Sequence, residues 1–277
     1  MMKRRNPSGF KEKYGGAALV AGASEGMGAA YARALAARGL DLVLVARRKE
    51  LLEDTARQIA KQFNVEVRSV TCDLAAGDAT RQIINAIGDT PIGFLVYNAA
   101  LSYIGPWLAA APATHTDIAT VNMMTPLTLL HYFGGKMAER KKGGIVIMSS
   151  IAGFQGSGYL STYAATKAFN RVLAEGLWYE WKPKGIDVIA CCAGATETPN
   201  YRNTQPGKAS WLEPKPQRPE QVVEACLDTI GSSPSFISGR TNRCVSFLMQ
   251  HIFSRKKAIT LMGDSMKKMY GIADPRE

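Results

Sequence analysis

The segment Gly22-Ala23-Ser24-Glu25-Gly26-Met27-Gly28 joins an apolar run at residues 17–23 to a helical pattern at residues 29–38. The apolar run predicts a strand, so the glycines stand in a turn between a strand and a helix. Glycines there allow a tight bend and a close approach of the backbone to a phosphate. The helix that follows offers free N–H groups and a favourable dipole. The segment therefore predicts a phosphate site of a dinucleotide-binding fold.

Further apolar runs along the chain predict the rest of a sheet. Longer amphipathic patterns separate them, which is typical of strands that alternate with helices. This alternation predicts an α/β fold, a doubly wound parallel sheet of the Rossmann type with about seven strands and helices on both faces. The additional runs are residues 41–47, 65–72, 93–98, 145–149, 187–193 and, more weakly, 235–238.

The 277-residue chain has a net charge of +11, and the basic residues are concentrated at its ends. Residues 1–13 hold five basic and one acidic residue, and residues 240–277 hold eight basic and three acidic residues. We expect a basic N-terminal tail at residues 1–14, a catalytic domain at residues 15–240 and a helical extension of that domain at residues 241–277. The simpler interpretation of these basic ends is that they are solvated, and the alternative is that they bind an anionic partner. We expect no nucleic-acid partner.

The cysteines show no C-x-x-C spacing, and Cys191 and Cys192 lie in an apolar run. Buried free thiols in a reducing compartment are the expected state. Residues 1–14 have no apolar segment of the kind found in a signal peptide, so we expect a cytoplasmic location. We expect no bound metal.

The glycine segment also fits the motif G-x-S-x-G, in which Ser24 is the nucleophile of an α/β-hydrolase. Only one predicted strand precedes Ser24, and Gly28 has no role in such a motif. The candidate bases His115, His131 and His251 lie in no persuasive setting. A hydrolase therefore remains an alternative to the dinucleotide fold.

The end of the second predicted strand indicates which dinucleotide binds. An acidic residue near this point binds a ribose 2′-hydroxyl, whereas an arginine accommodates a 2′-phosphate. Arg47 and Arg48 stand at that point, which favours NADP(H). Asp73 and Leu74 close the third strand, where the Asp73 carboxylate could accept a hydrogen bond from the adenine amino group.

A tyrosine and a lysine four residues apart begin a predicted helix. Tyr163 and Lys167 share one helix face, so their side chains can converge on one site. A nearby ammonium lowers the pKa of a phenol, which suits the phenol to acid–base catalysis. Ser150 ends the fifth predicted strand, where a doubly wound sheet places its chemistry, and its hydroxyl could polarise a carbonyl oxygen.

In this order the motifs resemble the short-chain dehydrogenase/reductase family over residues 15–240. The resemblance implies an oxidoreductase that moves a hydride between NADP(H) and a carbonyl or alcohol carbon, and a homodimer or homotetramer. The matching positions are Gly22, Ser24, Glu25, Gly26, Met27, Gly28, Asn98, Ala99, Ala100, Asn122, Ser150, Tyr163, Lys167, Gly194, Thr196 and Thr198.

Each catalytic position has a role that the resemblance implies. Tyr163 passes a proton to the substrate oxygen, and Ser150 holds that oxygen. Lys167 binds the nicotinamide ribose and tunes Tyr163, while the backbone of Asn122 holds a water in a proton relay. A non-catalytic, dinucleotide-binding regulatory protein is the alternative from another class.

Thr196 and Thr198 belong to the loop that the resemblance assigns to the nicotinamide carboxamide and a phosphate. Three positions depart from the family pattern. Ala21 replaces a threonine, Ala100 replaces a glycine, and Ala193 replaces the proline before Gly194. We expect these changes to loosen the cofactor site locally, and at Ala193 the start of the following flap.

The substrate is expected to be hydrophobic, such as a steroid, an acyl derivative or an aromatic ketone. A proline-rich stretch at residues 199–219 predicts a flap over the pocket. The aromatic and apolar residues expected at the pocket are Tyr103, Ile104, Trp107, Phe154, Tyr159 and Trp211.

The chain continues beyond the expected end of the sheet with an apolar helical pattern. Val245, Leu248, Ile252 and Phe253 form one stripe, with basic residues beside it. We expect a helix over residues 240–257 that covers the pocket or a neighbouring subunit. Contact with an anionic membrane is the less favoured alternative.

Overall fold

The computed structural model describes residues 7–204, 207 and 215–272. Seven parallel strands form one sheet, and each lies within two residues of a predicted run. In chain order they are β1 (Ala17–Ala21), β2 (Asp41–Ala46), β3 (Val67–Thr71), β4 (Ile92–Tyr97), β5 (Gly143–Ser150), β6 (Ile186–Ala193) and β7 (Ser235–Ile237).

Across the sheet the strands run β3-β2-β1-β4-β5-β6-β7, and every neighbouring pair is parallel. The order of the strands reverses between β1 and β4, which opens a crevice at their carboxyl ends. The predicted doubly wound α/β fold is confirmed. The described helices are α1 (Pro7–Tyr14), α2 (Gly26–Ala36), α3 (Lys49–Phe63), α4 (Ala79–Ile87), α5 (Pro112–Ala119), α6 (Thr125–Glu139), α7 (Ser161–Trp181), α8 (Pro199–Asn203), α9 (Pro219–Thr229), α10 (Arg240–Phe247) and α11 (Arg255–Tyr270).

Strand β1 shows how the sheet is covered on both faces. Ala18 and Val20 belong to the core layer that also contains residues of α2, α3 and α9, whereas Leu19 and Ala21 belong to the layer with α4, α6 and α7. Successive side chains of a strand alternate between faces. All four are fully buried, so the run is apolar throughout rather than alternating.

The N-terminal segment is a packed helix over Pro7–Tyr14, not the solvated tail that its charge suggested. Phe10 and Tyr14 lie one helical turn apart and both pack against Phe94 of β4, tilted and edge-to-face respectively, with ring centroids 5.3 and 5.0 Å from it. The Tyr14 hydroxyl donates a 2.9 Å hydrogen bond to Asp187, which also pairs with Lys13 at 2.5 Å. The expectation of a tail is wrong for residues 7–14, because two aromatic side chains outweigh the basic ones. Residues 1–6 lie outside the described part.

The C-terminal extension is helical, but it is not a single helix over residues 240–257. Helix α10 passes into a π-helical turn at Leu248–Ile252, and Phe253 is extended. Ser254 then caps α11 by accepting a hydrogen bond from the Lys257 amide at 3.3 Å. The turn redirects α11 towards the carboxyl ends of the strands. Across the described residues, no helix combines the length and the apolar character that crossing a membrane requires.

The cysteine thiols are free, as predicted, and Cys191 and Cys192 on β6 are fully buried. Cys244 on α10 is exposed. Residues 90–116, which include no charged side chain, contain β4, a loop and the start of α5.

We predict that Tyr14→Ala lowers the free energy of unfolding by about 3–5 kcal/mol, the usual effect of truncating a buried aromatic ring. Tyr14→Phe keeps the ring and loses only the hydrogen bond to Asp187, worth about 1.5–3 kcal/mol for a charged acceptor. Urea unfolding of both variants measures the two losses of stability, and the loss should be larger for Tyr14→Ala. Equal, small losses in both would mean that α1 frays from the sheet in solution.

Candidate active site

A cleft of about 640 Å³ opens at the carboxyl ends of the strands, on both sides of the point where the strand order reverses. Every residue that the sequence assigned to the cofactor, except Gly28, lines this cleft. Ser150, Tyr163 and Lys167 also line it. Residues separated by more than 100 positions therefore meet in one place, because parallel strands bring all their carboxyl ends to the same edge.

The glycine turn is held in place by contacts that only glycine permits. Gly22 has a φ of 82°, and a Cβ on Gly28 would lie 1.9 Å from the Gly22 carbonyl oxygen. The Asn98 side-chain amide donates a 2.9 Å hydrogen bond to the same oxygen. Helix α2 therefore begins directly beside the cleft, with the free N–H groups of its first turn available to a phosphate.

The two arginines at the end of β2 both line the cleft. Arg48 folds back onto the glycine turn, where it pairs with Glu25 at 2.7 Å and donates to the Ser24 hydroxyl at 3.2 Å. Arg47 is exposed, and no hydrogen bond or ion pair holds its side chain within the described residues. One guanidinium thus braces the turn, and the other is available to an anionic group.

Asp73 and Leu74 follow β3 and line the same end of the cleft. One carboxylate oxygen of Asp73 accepts a 3.0 Å hydrogen bond from the Ala75 amide, which closes the local turn. Thr125 at the start of α6 donates a 2.7 Å hydrogen bond to the Leu74 carbonyl. These bonds fix the segment and leave the second carboxylate oxygen of Asp73 available as an acceptor.

The side chains expected to carry out the chemistry converge at the opposite end. Lys167 is 2% exposed; its ammonium donates to the Met148 carbonyl at 3.0 Å and lies 5.4 Å from the centre of the Tyr163 ring. The Ser150 hydroxyl accepts a 3.2 Å hydrogen bond from the Ala152 amide and hydrogen-bonds Tyr163. The Ser150 oxygen accepts the amide proton, so its own proton is directed to the Tyr163 oxygen at the wall of the cleft.

Burial is the main influence on the pKa values of Tyr163 and Lys167. Desolvation raises the pKa of Tyr163, and the hydrogen bond from Ser150 opposes that rise only in part. Desolvation lowers the pKa of Lys167 to about 8, although the thiols of Cys191 and Cys192 act in the opposite direction. Burial therefore sets the direction of the Tyr163 pKa shift, which is opposite to the lowering expected from Lys167.

Asn122 lies behind the cleft rather than in its wall. It is fully buried in a π-helical turn at Thr120–Met124, a distortion that is frequent at functional sites. Its side-chain amide donates to the Leu101 carbonyl and to the Thr166 hydroxyl, both at 2.9 Å, and its oxygen accepts from the Leu101 amide. Asn122 thus ties the loop after β4 to the helix that carries Tyr163 and Lys167.

The segment after β6 is braced by the C-terminal extension. The Gly194 amide donates to the Ser238 hydroxyl at 3.1 Å, and a Cβ on Gly194 would lie 2.3 Å from the side-chain nitrogen of Asn242. Asn242 in turn donates to the Ser238 carbonyl at 2.7 Å. These contacts restrain Gly194 from the far side and would oppose the loosening that Ala193 is expected to cause.

The threonines of this segment serve its local structure. The Thr196 hydroxyl donates to the Gly194 carbonyl at 3.0 Å, and the Thr198 hydroxyl caps α8 by accepting from the Tyr201 amide at 3.1 Å. The side chain of Thr198 also lies against the glycine turn, since a Cβ on Gly26 would be 3.1 Å from it. Both threonines therefore lie at the wall of the cleft, where the Thr196 hydroxyl donates its proton locally and the Thr198 hydroxyl acts as an acceptor.

The expected substrate residues are only partly in place. Ile104 lines the cleft, and Tyr103 lines a smaller pocket beside it. Phe154 does not line the cleft; it is 8% exposed and belongs to the core, where Arg171 stacks on its ring. Tyr159 also lies outside the cleft wall, and Trp107 is half-exposed and stacked on His115. Trp211 and residues 205–206 and 208–214 of the predicted flap lie outside the described residues.

Met266 and Tyr270 of α11 line the cleft, although sequence reasoning did not assign them to it. They lie one helical turn apart, and this i, i+4 spacing was the available signal. Tyr270 also borders the smaller pocket, and its hydroxyl lies 3.4 Å from that of Thr204. The cleft is therefore lined by α11 and not by the stripe expected over residues 240–257, whose Val245, Leu248 and Ile252 are exposed.

The hydrolase alternative finds no support in the geometry. The Ser24 hydroxyl accepts a hydrogen bond from Arg48, and among the described contacts none joins it to a histidine. His115 instead bonds the Trp107 carbonyl and Thr162, and His251 bonds the Phe247 carbonyl. A serine without a base cannot act as the nucleophile of a hydrolase.

Comparison with known proteins agrees with this geometry. The profile of the family described as short chain dehydrogenase matches residues 16–209. The 7beta-hydroxysteroid dehydrogenase of Clostridium sardiniense is 34% identical over 234 residues, which cover 84% of this chain and 89% of that protein.

Two solved structures extend the comparison to three dimensions. One, from work on 7beta-hydroxysteroid dehydrogenase stereoselectivity, has a TM-score of 0.86 at 28% identity and covers 91% of this chain and 98% of its own. A short-chain dehydrogenase from Sphingobium yanoikuyae in complex with NADPH has a TM-score of 0.74 at 28% identity. The match covers 86% of this chain and 96% of that protein. The family match spans every strand from β1 to β6, and the chain therefore belongs to the short-chain dehydrogenase family, oxidoreductases that bind a nicotinamide dinucleotide.

Proposed function

We propose that the protein interconverts a bulky, hydrophobic carbonyl compound of the steroid type and its secondary alcohol with NADP(H). The proposal rests on one arrangement in the cleft. Tyr163, Ser150 and Lys167 converge at one end, and the glycine turn lies at the other. Ile104 and Met266 add an apolar wall on the substrate side. The steroid class is supported by the two 7beta-hydroxysteroid dehydrogenase comparisons. We also propose a homodimer or homotetramer, as the family resemblance implies.

The reaction needs a proton donor and a group that holds the substrate oxygen. A bound, reduced nicotinamide supplies a hydride to the carbonyl carbon. Tyr163 gives its phenolic proton to the carbonyl oxygen, and the Ser150 hydroxyl donates a hydrogen bond to that same oxygen. The raised pKa of Tyr163 keeps the phenol protonated at neutral pH, which suits it to donate in the direction of reduction.

Lys167 and Asn122 act behind this pair. The Lys167 ammonium uses one N–H on the Met148 carbonyl, which leaves two for the nicotinamide ribose and for the Tyr163 side. Asn122 restrains α7 through Thr166, the residue before Lys167. We assign Asn122 a positioning role at this point, together with the water-holding role of its backbone that the family resemblance implies.

The preference for NADP(H) is assigned to Arg47, with Arg48 in support. A planar guanidinium can donate two parallel hydrogen bonds to two oxygens of a phosphate, and the exposed Arg47 has no competing partner among the described residues. Arg48 holds Glu25 at 2.7 Å, which neutralises a carboxylate that would otherwise repel the phosphate. The cradle formed by Gly22 and Gly28 accepts the remaining phosphates.

For the native protein, kcat/KM should be higher with NADPH than with NADH. Arg47→Asp should lower kcat/KM with NADPH by about 10- to 100-fold, since a charge-assisted bond is worth about 1.5–3 kcal/mol. Arg57→Asp on α3, outside the cleft, is the matched control and should leave the ratio unchanged. Equal use of both cofactors by the native protein would contradict the assignment.

Replacing Tyr163 by Phe should remove the proton donor and little else. With NADPH and a panel of steroid ketones, we expect turnover to fall by about 10²–10⁴-fold, the usual share of general acid catalysis. NADPH binding, followed by fluorescence titration, should persist. Tyr159→Phe, four positions away and outside the cleft wall, is the control and should retain activity. If the native protein binds NADPH but turns over no carbonyl compound, the non-catalytic alternative holds instead.

Lys167→Met should stabilise the fold while abolishing activity. The pKa of Lys167 is lowered from 10.5 to about 8, so between these values the unfolded chain holds a proton that the folded chain has released. Its unfavourable contribution is therefore full below pH 8 and disappears as the pH rises to 10.5. Removing the ammonium should raise the free energy of unfolding at pH 7 by up to about 3 kcal/mol, since one pKa unit corresponds to about 1.4 kcal/mol.

Urea unfolding at pH 7 and at pH 10 measures this gain, which should shrink at the higher pH. The exposed Lys136 on α6 provides the control Lys136→Met, for which we expect no pH-dependent difference. A loss of stability at pH 7 in Lys167→Met would show that the hydrogen bond to Met148 outweighs the burial of the charge.

A further inference from the structure

Helix α10 and the π-helical turn after it bury polar side chains and expose apolar ones, the reverse of an ordinary surface helix. The residues that α10 buries are polar, Asn242 at 3% and Ser246 at 5% exposure. The apolar residues of the same stretch point outward: Val245 and Leu248 are each 37% exposed, Phe247 is 55% exposed and Ile252 is 61% exposed. A surface helix normally buries its apolar stripe, so this one presents its stripe to something outside the chain.

Hydrogen bonds fix this orientation. Asn242 donates to the Ser238 carbonyl at 2.7 Å and packs beneath Gly194 at the wall of the cleft. Its side-chain amide also donates to the Gln217 side-chain oxygen at 3.4 Å. Rolling the helix to bury Phe247 would break the hydrogen bonds that the Asn242 amide donates and would open its contact with Gly194, which opposes the movement.

The exposed apolar residues are concentrated in this region. Of the twelve exposed large hydrophobic side chains among the described residues, six lie between Val245 and Leu261. We call Val245, Phe247, Leu248 and Ile252, with the basic residues around them, the C-terminal face. Exposed apolar side chains that cluster in this way are typical of an interaction site.

The charge of the C-terminal face indicates its partner. Between residues 240 and 263 there is no acidic residue, and five exposed basic residues flank the apolar side chains. A second copy docked face to face would bring these like charges together, which is unfavourable. An anionic surface complements them. The basic residues are Arg240, Arg243, Arg255, Lys256 and Lys257.

We propose that the C-terminal face docks on a lipid bilayer containing anionic phospholipid, with α10 and the π-helical turn lying in the plane of the interface. Phe247 and Ile252 enter the boundary between headgroups and acyl chains, and the arginines and lysines contact lipid phosphates. The attachment is peripheral. It does not depend on the substrate proposed above, because the face lies outside the cleft wall.

The test is co-sedimentation of the full chain with vesicles at about 0.15 M salt, where surface charges are screened beyond about 8 Å. One vesicle is a mixture of phosphatidylcholine and phosphatidylserine, and the other is phosphatidylcholine alone. We expect partitioning onto the mixed vesicles and little onto the neutral ones. Phe247→Ser with Ile252→Ser should reduce partitioning by about tenfold or more, which equals about 1.4 kcal/mol. Arg240→Gln with Arg243→Gln should reduce it as well.

The control variant, Leu108→Ser with Tyr179→Ser, removes two other exposed apolar side chains, which are 89% and 80% exposed. It should bind the mixed vesicles like the native protein. Urea unfolding of every variant checks that the fold is intact. Absence of native binding to the mixed vesicles, or equal binding to both kinds, overturns the proposal. Sedimentation velocity tests the alternative occupant, a second copy of the chain. If the native protein self-associates without binding vesicles, and Phe247→Ser with Ile252→Ser abolishes that self-association, the face belongs to a second copy.

Discussion

The close approach of Gly28 to the Gly22 carbonyl is the contact on which the cleft depends. A single methyl group at Gly28 would lie 1.9 Å from that oxygen, so any side chain there would push α2 away from the end of β1. Asn98, at the end of β4, donates to the same oxygen and fastens the neighbouring strand to the turn. The Gly22 carbonyl therefore sets the position of the N-terminus of α2 relative to β1 and β4. This position makes an anion site possible at the point where the strand order reverses.

The opposite end of the cleft is maintained at a cost in stability. Lys167 is buried with its pKa lowered, and its ammonium lies against the Met148 carbonyl. Asn170 shares that carbonyl at 3.4 Å, and the Ser149 hydroxyl donates to the Lys167 carbonyl at 2.7 Å. A charged group surrounded by such partners is typical of a site selected for its chemistry rather than for its packing. The buried Asn122 reinforces the arrangement from behind, by joining three segments through one side chain.

The predictions that held were those based on local periodicity and spacing. Parallel strands buried on both faces are continuous apolar runs, as in β1, and these are legible in the sequence. The i, i+4 spacing of Tyr163 and Lys167 indicated one helix face without reference to the rest of the chain. The predictions that were wrong assigned partners to side chains. Phe154 was expected in the pocket and lies in the core, and α1 was expected in solvent and packs on Phe94.

The sequence by itself determined the order of strands and helices along the chain, the glycine turn and the shared helix face of Tyr163 and Lys167, because each depends on neighbouring residues. Only the tertiary structure decided which distant segments complete the cleft. Met266 and Tyr270 reach it because a π-helical turn redirects α11, and Asn242 braces Gly194 across the end of the sheet. Such contacts depend on the direction in which a helix leaves a turn, and a difference of one residue in that turn rotates the following helix by about 100°. Periodicity shows that a helix has an apolar face, but packing determines what that face meets.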